Sequence, residues 1–509
     1  MYRGDPLTAL CGYAAMLVES LRLPICPPPH SIYSAAMPAH SRPKLGLPPA
    51  ILCVLIALVL GISIGRAPDG RAAAPGTVVY PLKVSANGRY LVDQNNRPFL
   101  IVGDSPQSLI GNLSIIEAAW YMDNRARYGI NTLWINLLCN DGTACNSNGA
   151  TLDGIAPFNT PGDLATPNPA YFRRVDMIAD LAAARNMLVL LDPIETIGWL
   201  GILRSNGMAK ARDYGMFLGN RYRRFSNIVW MHGNDFQTWP SMTDDALVHA
   251  VASGIRSADP GKLQTIELNY PTSASLDDSS RRLSIDLNAA YTYYPTYAQI
   301  LHEYDRRHFL PTFLVEANYE FEHLPHTDGG SPLNLRRQEY WTMLSGAAGQ
   351  LYGSAFTWRF PPGWRESLDS PGILQLSYMK KLFIARRWYE LVPDQEHTTL
   401  VAGYGQFSAR GSISTDSYAA AARTADGNLV IAYIPFARTI SVDMARLATM
   451  VIGHWYDPTN GTYRTISGGS PLPNSGVRHF TPPGRNSSGD DDWVLVLDGP
   501  SDQDASLDK

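Results

Sequence analysis

Two carboxylates stand where short apolar runs end: Asp235 in Trp230-Met-His-Gly-Asn-Asp235 and Glu316 in Thr312-Phe-Leu-Val-Glu316. A run of that kind reads as a buried strand, and an acid that closes it has left the apolar layer for the loops. One carboxylic acid can protonate a glycosidic oxygen while a second attacks the anomeric carbon or activates a water, which is the equipment of glycoside hydrolysis. In the retaining version the carboxyl groups stand about 5–5.5 Å apart, and in the inverting version about 6.5–9.5 Å. An acid at a strand end also caps the helix that follows, so the pair carries meaning only if the fold brings both to one place.

The elements that must position them alternate short apolar strands with amphipathic helices from Tyr80 onward, the pattern of a parallel sheet. Eight strands are expected: 99–104, 132–138, 187–192, 228–232, 263–268, 285–290, 312–315 and 349–358. Seven helices are expected between and after them: 114–128, 169–186, 210–225, 244–258, 297–307, 334–348 and 377–391, with none after the fifth strand, where 274–282 is polar. That count predicts a (β/α)8 TIM barrel over residues 78–393, with a hairpin at 82–98 closing its floor. Asp235 and Glu316 then end strands 4 and 7 on the C-terminal face, where active sites of this architecture sit. Beyond Pro393 the periodicity changes to short strands between Gly, Asn and Pro turns, which predicts a small β-sandwich over 394–505.

Residues 1–75 do not read as part of the fold. Ala50 to Ile64 runs without a charge, preceded by Arg42 and Lys44 and followed by Arg66 and Arg71-Ala-Ala-Ala-Pro75. About 15 apolar residues between a basic flank and an Ala-rich site fit a secretory signal, whereas a membrane anchor needs roughly 20. A secreted or periplasmic protein is therefore expected, held to a membrane only if the segment stays uncleaved. The leader is long, so translation starting at Met37 is also expected; peptides covering residues 1–36 in a mapped precursor would exclude that start. Of five cysteines three lie in the leader, leaving Cys139 and Cys145 on a Gly- and Asn-rich turn as a candidate disulfide in an oxidising compartment.

A net charge of −4 supplies no basic field for nucleic acid. No Gly-x-Ser-x-Gly elbow, His-Glu-x-x-His motif or Gly-x-Gly-x-x-Gly fingerprint after a strand is present, so esterase, zinc and dinucleotide chemistry lack their signatures. Neither a metal nor a cofactor is expected. Substrate-binding candidates are Asp104 after strand 1, Asn136 in strand 2, His232 and Asn234 in strand 4, Asn288 in strand 6, Tyr291 and Tyr293 after it, and Trp358 after strand 8. Each has an ordinary structural alternative: helix capping for Asp104, a buried hydrogen bond for Asn136, a satisfied core histidine for His232, packing for Trp358. The Tyr291-Thr-Tyr-Tyr294 run can stack on a sugar or orient Glu316, and Glu320 and Glu322 rival Glu316 for its role.

Phe99-Leu-Ile-Val-Gly-Asp-Ser105, Tyr171-Phe-Arg-Arg-Val-Asp176, Arg221-Tyr-Arg-Arg-Phe-Ser-Asn-Ile-Val-Trp-Met-His-Gly-Asn-Asp235 and Phe313-Leu-Val-Glu-Ala-Asn-Tyr-Glu320 resemble the apiosidase-like catalytic domain. That domain is assigned to glycoside hydrolase family 140 and relatives, and was formerly of unknown function. The part after about Pro393 resembles a domain labelled as collagen-binding, a label that does not itself imply the activity. The resemblance implies a retaining hydrolase with Asp235 as acid/base and Glu316 as nucleophile, acting on a plant or microbial polysaccharide or oligosaccharide. Two departures lie on the binding face: Pro106-Gln107 where the family has a small residue and Trp, and Glu267-Leu-Asn-Tyr-Pro271 where it has His-Pro. Apiose specificity is not carried over for that reason. The competing expectation is a carbohydrate-binding protein without turnover on the same scaffold.

Overall fold

The computed structural model describes residues 77–500 apart from 238–240, 279, 281–283 and 325–326. The expected leader and the polar tail after Ser501 lie outside the described residues.

Eight parallel strands form the barrel wall: β1 Ile101–Asp104, β2 Thr132–Asn136, β3 Leu188–Asp192, β4 Ile228–Phe236, β5 Gln264–Leu268, β6 Asn288–Thr292, β7 Thr312–Glu316 and β8 Gly349–Tyr352. Parallel ladders run β5-β4-β3-β2-β1-β8-β7-β6. The seam between β5 and β6 has no regular ladder. There the Asp286 amide donates to the Gln264 carbonyl (2.8 Å), and the Ser275 hydroxyl donates to the Ile266 carbonyl (2.5 Å) while accepting from the Ala289 amide (2.8 Å). One side chain replaces the missing rungs, so the edge strands carry few unpaired groups.

Seven helices clothe the wall: α1 Ile115–Arg127, α2 Pro169–Ala184, α3 Thr196–Tyr222, α4 Met242–Ala258, α5 Thr296–Tyr304, α6 Pro332–Leu344 and α7 Pro371–Ile384. Their starts are written locally. Ser114 and Glu117 form a reciprocal capping box on α1, Asn168 caps α2 with Pro169 at its first position, and Ser331 caps α6 with Pro332 in the same role. Several spans differ from expectation. α7 begins six and ends seven residues earlier, nearly two turns, and α3 begins 14 residues before the predicted Lys210, with a break at Gly207 (φ 74°). The sixth strand starts at Asn288, three residues later than expected, and the eighth ends at Tyr352 instead of reaching Trp358. Among the described residues no α-helix follows β5; a short strand, Thr272–Ala274, pairs antiparallel with β6 and leads into a 3-10 turn at Ser275–Asp277 instead.

Alternation along each strand sorts side chains into two cores. Trp134, Leu188, Leu190, Val229, Met231, Ala289, Phe313, Val315 and Leu351 fill the barrel, floored by Leu82, Leu91 and Phe99 around the predicted hairpin. Their neighbours, such as Leu133, Val189, Trp230 and Ile266, pack under the helices.

The C-terminal strands form a six-stranded and a three-stranded antiparallel sheet, with Val430, Ala432, Leu495 and Leu497 facing Leu400, Ile440 and Val442 across a sandwich core. Its first strand, Leu391–Pro393, starts just before the predicted boundary. The outer face of the larger sheet joins the barrel core. Tyr433 stacks on Tyr340 of α6 (5.0 Å), while Arg336 clasps Asp492 (2.9 and 2.8 Å) and Arg386 clasps Asp498 (2.8 and 2.8 Å), both fully buried. Breaking one such pair strands a charge in the interior, so the sandwich is fastened rather than tethered.

Candidate active site

Asp235 reaches the barrel mouth because β4 ends in a bulge. Its register with β5 slips between His232 and Phe236, and Gly233, Asn234 and Asp235 all take positive φ (112°, 69° and 54°). Asn and Asp tolerate that left-handed region better than other side chains. Gly233 is required at the first position, since a Cβ there would lie 2.1 Å from the Glu267 carbonyl oxygen. The bulge is pinned from below, where the Asp235 amide donates to Glu267 Oε2 at 2.5 Å. Glu267 is buried on the inward face of β5; burial and then the charges of Asp235 and Glu316 push it well above the usual carboxylate range. It is a neutral strut there, not a second anion.

Glu316 arrives by a second bulge. Strict alternation after Phe313 and Val315 would aim it outward, but β7 slips one residue against β6, so Tyr291 pairs with Glu316 rather than with Val315. Three phenols then close on its carboxylate: Tyr291 and Tyr293 donate to Oε1 (2.8 and 2.9 Å), Tyr319 to Oε2 (2.7 Å). The Tyr291 hydroxyl also reaches Asp235, which the Tyr270 backbone holds as well. Both acids line one cavity of about 190 Å³, with Gln107, Asn234, Tyr270, Tyr293, Tyr319 and Trp358 among its walls.

Burial raises Asp235 to about 6, and burial together with the Asp235 charge raises Glu316 to about 8. Read singly, those values place the last proton on Glu316. Hydrogen-bond counting argues for Asp235 instead. Glu316 already accepts three phenolic protons, which favours its anion. Tyr291 has one proton to give, and with that turned to Glu316 its contact with Asp235 is satisfied when Asp235 is the donor. The pair is best described as a dyad sharing one proton between two macroscopic steps.

The sequence profile described as the apiosidase-like catalytic domain matches residues 85–390. The chain belongs to the apiosidase-like family. It is a glycoside hydrolase. A second profile, described as a proposed collagen-binding domain of a collagenase, matches residues 407–498 of this family member. Among solved structures, a glycoside hydrolase family 5 protein from Bacteroides vulgatus superposes with TM-score 0.72 at 22% identity, covering 84% of this chain and 95% of the other. A structure titled glycoside hydrolase gives TM-score 0.70 at 22% identity, covering 82% and 97%. Those two likenesses concern the fold. No curated relative matches the chain.

Of the residues singled out in this apiosidase-like sequence, the cavity gathers Asp235, Glu316, Asn234, Tyr291, Tyr293 and Trp358. Three others point into the helical shell, because each sits one residue off the inward-facing positions of its strand. Asp104 accepts from Tyr121 (2.6 Å) and Arg125 (2.5 Å) and is fully buried. Asn288 donates to Glu303 (2.8 Å) and Thr312 (3.1 Å). His232 pairs with Gln264 (3.1 Å), and burial lowers it to about 4, so it is neutral. Asn136 shares the inward face of Trp134, is fully buried and does not line the cavity, and its side-chain amide meets no hydrogen-bonding partner among the described residues. Asp104, Asn288 and His232 are corrected from sugar-binding candidates to structural residues, and Asn136 to a buried residue off the cavity lining. Glu320 is likewise structural, its carboxylate taken by Tyr352, Ser370 (2.5 Å) and the Gly372 amide (2.9 Å), while Glu322 lines the cavity.

The residues that sequence reasoning missed are Tyr319, Gln107 and Tyr270. Gln107 accepts from Asn234 (3.1 Å) and donates to Tyr319 (3.3 Å), linking the loops that carry Asp235 and Glu316. A signal existed for two of them, since Gln107 and Tyr270 occupy the two stretches that depart from the family pattern. Cys139 and Cys145 are disulfide-bonded, and their loop contributes Gly142 and Thr143 to the cavity wall.

Asp104→Ala is expected to destabilise the protein by about 3–5 kcal/mol through the stranded Arg125 charge, while the rate per folded molecule holds. A urea midpoint measured beside active-site-titrated activity tests this; a sugar-binding Asp104 would lose activity at unchanged stability.

Proposed function

We propose that the protein is a retaining glycosidase in which Asp235 is the acid/base and Glu316 the nucleophile. The observation that carries the reading is the shared Tyr291 hydroxyl. That hydroxyl donates to Glu316 (2.8 Å) and acts on Asp235, so both carboxylates border one cavity of about 190 Å³ around a single phenol, which supports the short carboxyl separation of a retaining enzyme.

In the first step Asp235 gives its proton to the glycosidic oxygen as Glu316 attacks the anomeric carbon and the leaving group departs. Water then enters, loses a proton to the Asp235 carboxylate, and its oxygen displaces Glu316 from the anomeric carbon. The phenols of Tyr291, Tyr293 and Tyr319 orient Glu316 and take up its charge when the covalent bond breaks. The substrate is a glycoside of plant or microbial polysaccharide or oligosaccharide. Export to the periplasm or the exterior is supported by the apolar segment 50–64 and by a disulfide suited to an oxidising compartment.

The test is a panel of p-nitrophenyl glycosides and wall polysaccharides, with the anomer of the first-formed product followed by NMR. Retained configuration is expected. Inverted product would overturn the mechanism, and binding without turnover across the panel would favour the non-catalytic alternative.

The active form carries one proton on the dyad, so kcat/KM for the free enzyme is expected to be bell-shaped with limbs near 6 and 8. Below the lower limb a second proton neutralises the nucleophile. Above the upper limb the acid has lost its proton. A pH profile with a single limb would contradict the shared proton.

A further inference from the structure

A second cavity, of about 520 Å³, is lined by Asp235 but not by Glu316. The two cavities share Asp235, Ile197 and Tyr270, but only the smaller one contains Glu316. That asymmetry assigns them, given the retaining reading above. The ring under attack must touch both carboxylates, so it occupies the smaller space. The group that departs with the protonated oxygen touches the acid alone, so it occupies the larger one.

Thr196, Gln237 and Ser241 line part of this cavity, but much of its wall is apolar. Ile197, Leu200 and Arg204 follow one another at helical spacing along the first two turns of α3, and so form a single stripe facing the cleft. Phe236 and Tyr270 stand across from them. Ile197 is 48% exposed and Tyr270 41%, and both stand where the two cavities meet. Polarity returns at the far end of the stripe, where Arg204 and Asp244 make a two-pronged ion pair (2.8 and 2.7 Å).

The stripe is held from behind. Glu195 caps α3 by accepting from the Gly198 amide (2.8 Å) and also accepts from Thr143 (3.3 Å), while Gly198 lies so close to Asn140 that a Cβ there would sit 1.7 Å from its side-chain oxygen. The disulfide loop thus seats the first turn of α3, and with it Ile197.

We propose that this cleft is the leaving-group subsite, and that it selects leaving groups presenting an apolar face next to the glycosidic oxygen. Leaving groups hydroxylated on both faces are disfavoured there because they lose water against Ile197, Leu200 and Phe236 without regaining hydrogen bonds.

Acceptor alcohols test the cleft whatever the natural substrate is. Turnover of whichever p-nitrophenyl glycoside is hydrolysed is run in the presence of ethanol or of 2-phenylethanol, primary alcohols of similar nucleophilicity. The alcohol oxygen bonds to the anomeric carbon, its proton passes to the Asp235 carboxylate, and the bond to Glu316 breaks. The readout is alkyl glycoside formed relative to free sugar, per molar alcohol. Capture of 2-phenylethanol is expected to exceed that of ethanol by about tenfold or more, the range of a small apolar pocket. In Ile197→Ser and in Leu200→Ser the ratio is expected to fall to about threefold or less. Because it is an internal ratio, partial loss of folded enzyme does not move it. Equal capture of the two alcohols by the wild type, or a ratio unchanged in both variants, would overturn the proposal. An inverting enzyme would instead yield no transfer product with either alcohol and inverted sugar, which takes down the retaining reading together with the subsite that rests on it.

Discussion

Glu316→Gln is expected to lower kcat by at least about 10⁴-fold while leaving the fold and glycoside binding nearly intact, since removing one member of a catalytic unit disables the unit. The amide is nearly isosteric with the carboxylate, so Tyr291 and Tyr293 can still donate to its oxygen. Its nitrogen then faces the Tyr319 hydroxyl, which must turn its proton away. What vanishes is the proposed nucleophile. Steady-state rates on an activated aryl glycoside, with circular dichroism as the fold control, measure the effect. In Glu316→Ala, where the side chain is cut away, activity recovered by azide with a glycosyl azide of opposite anomeric configuration as product would identify the missing group as the attacking one. Retention of more than a few per cent of the rate would move the nucleophile elsewhere, with Glu322 the other carboxylate of the cavity wall that sequence had put forward for the role.

Asp235→Asn is expected to have the second-largest effect, and one that depends on the substrate. General acid catalysis contributes about 10²–10⁴-fold, so glycosides with alkyl or sugar leaving groups should slow by that much. A p-nitrophenolate departs with little protonation, so its glycoside should form the covalent intermediate at a rate closer to the wild type and then accumulate it, because the base for the second step is gone. A burst of nitrophenol followed by slow turnover is the expected trace. The variant should also lose the alkaline limb of the pH profile, because no acid remains to deprotonate. Equal slowing of good and poor leaving groups would mean that Asp235 positions substrate and does not transfer the proton. Glu267 separates those cases further: it holds the Asp235 amide and not its carboxylate, so Glu267→Gln should disturb the bulge and lower kcat while leaving the leaving-group dependence in place.

The barrel was readable from the chain because each of its strands is an apolar run bounded by turn residues, and because the helix caps at Ser114, Asn168 and Ser331 are local signals. α3 was half missed for an equally local reason. Its first turns carry Gly198, Gly201 and Gly207 and an apolar stripe turned toward a cleft, so the usual core-facing periodicity is weak before Lys210. The candidates that failed have two causes. Asp104 ends β1 and His232 lies inside β4, and for both the strand phase turns the side chain to the helical shell, phase being set by the register against neighbouring strands. Asn288 has the same outward phase and also opens β6 instead of closing it, at the end away from the C-terminal face. Glu316 makes the converse point, since simple alternation would have turned it outward.

What the sequence alone determined was the architecture and the placing of two acids at strand ends, because periodicity, turn residues and a carboxylate at the end of an apolar run are written in consecutive positions. Tertiary structure decided which way each strand-end residue faces, through the bulges after His232 and before Glu316, and it brought Gln107, Tyr270, Tyr291, Tyr293 and Tyr319 from four separate segments onto one dyad. The physical reason is that a proton shared between two carboxylates depends on distances of a few ångströms across the barrel mouth, and pairing between strands sets those distances.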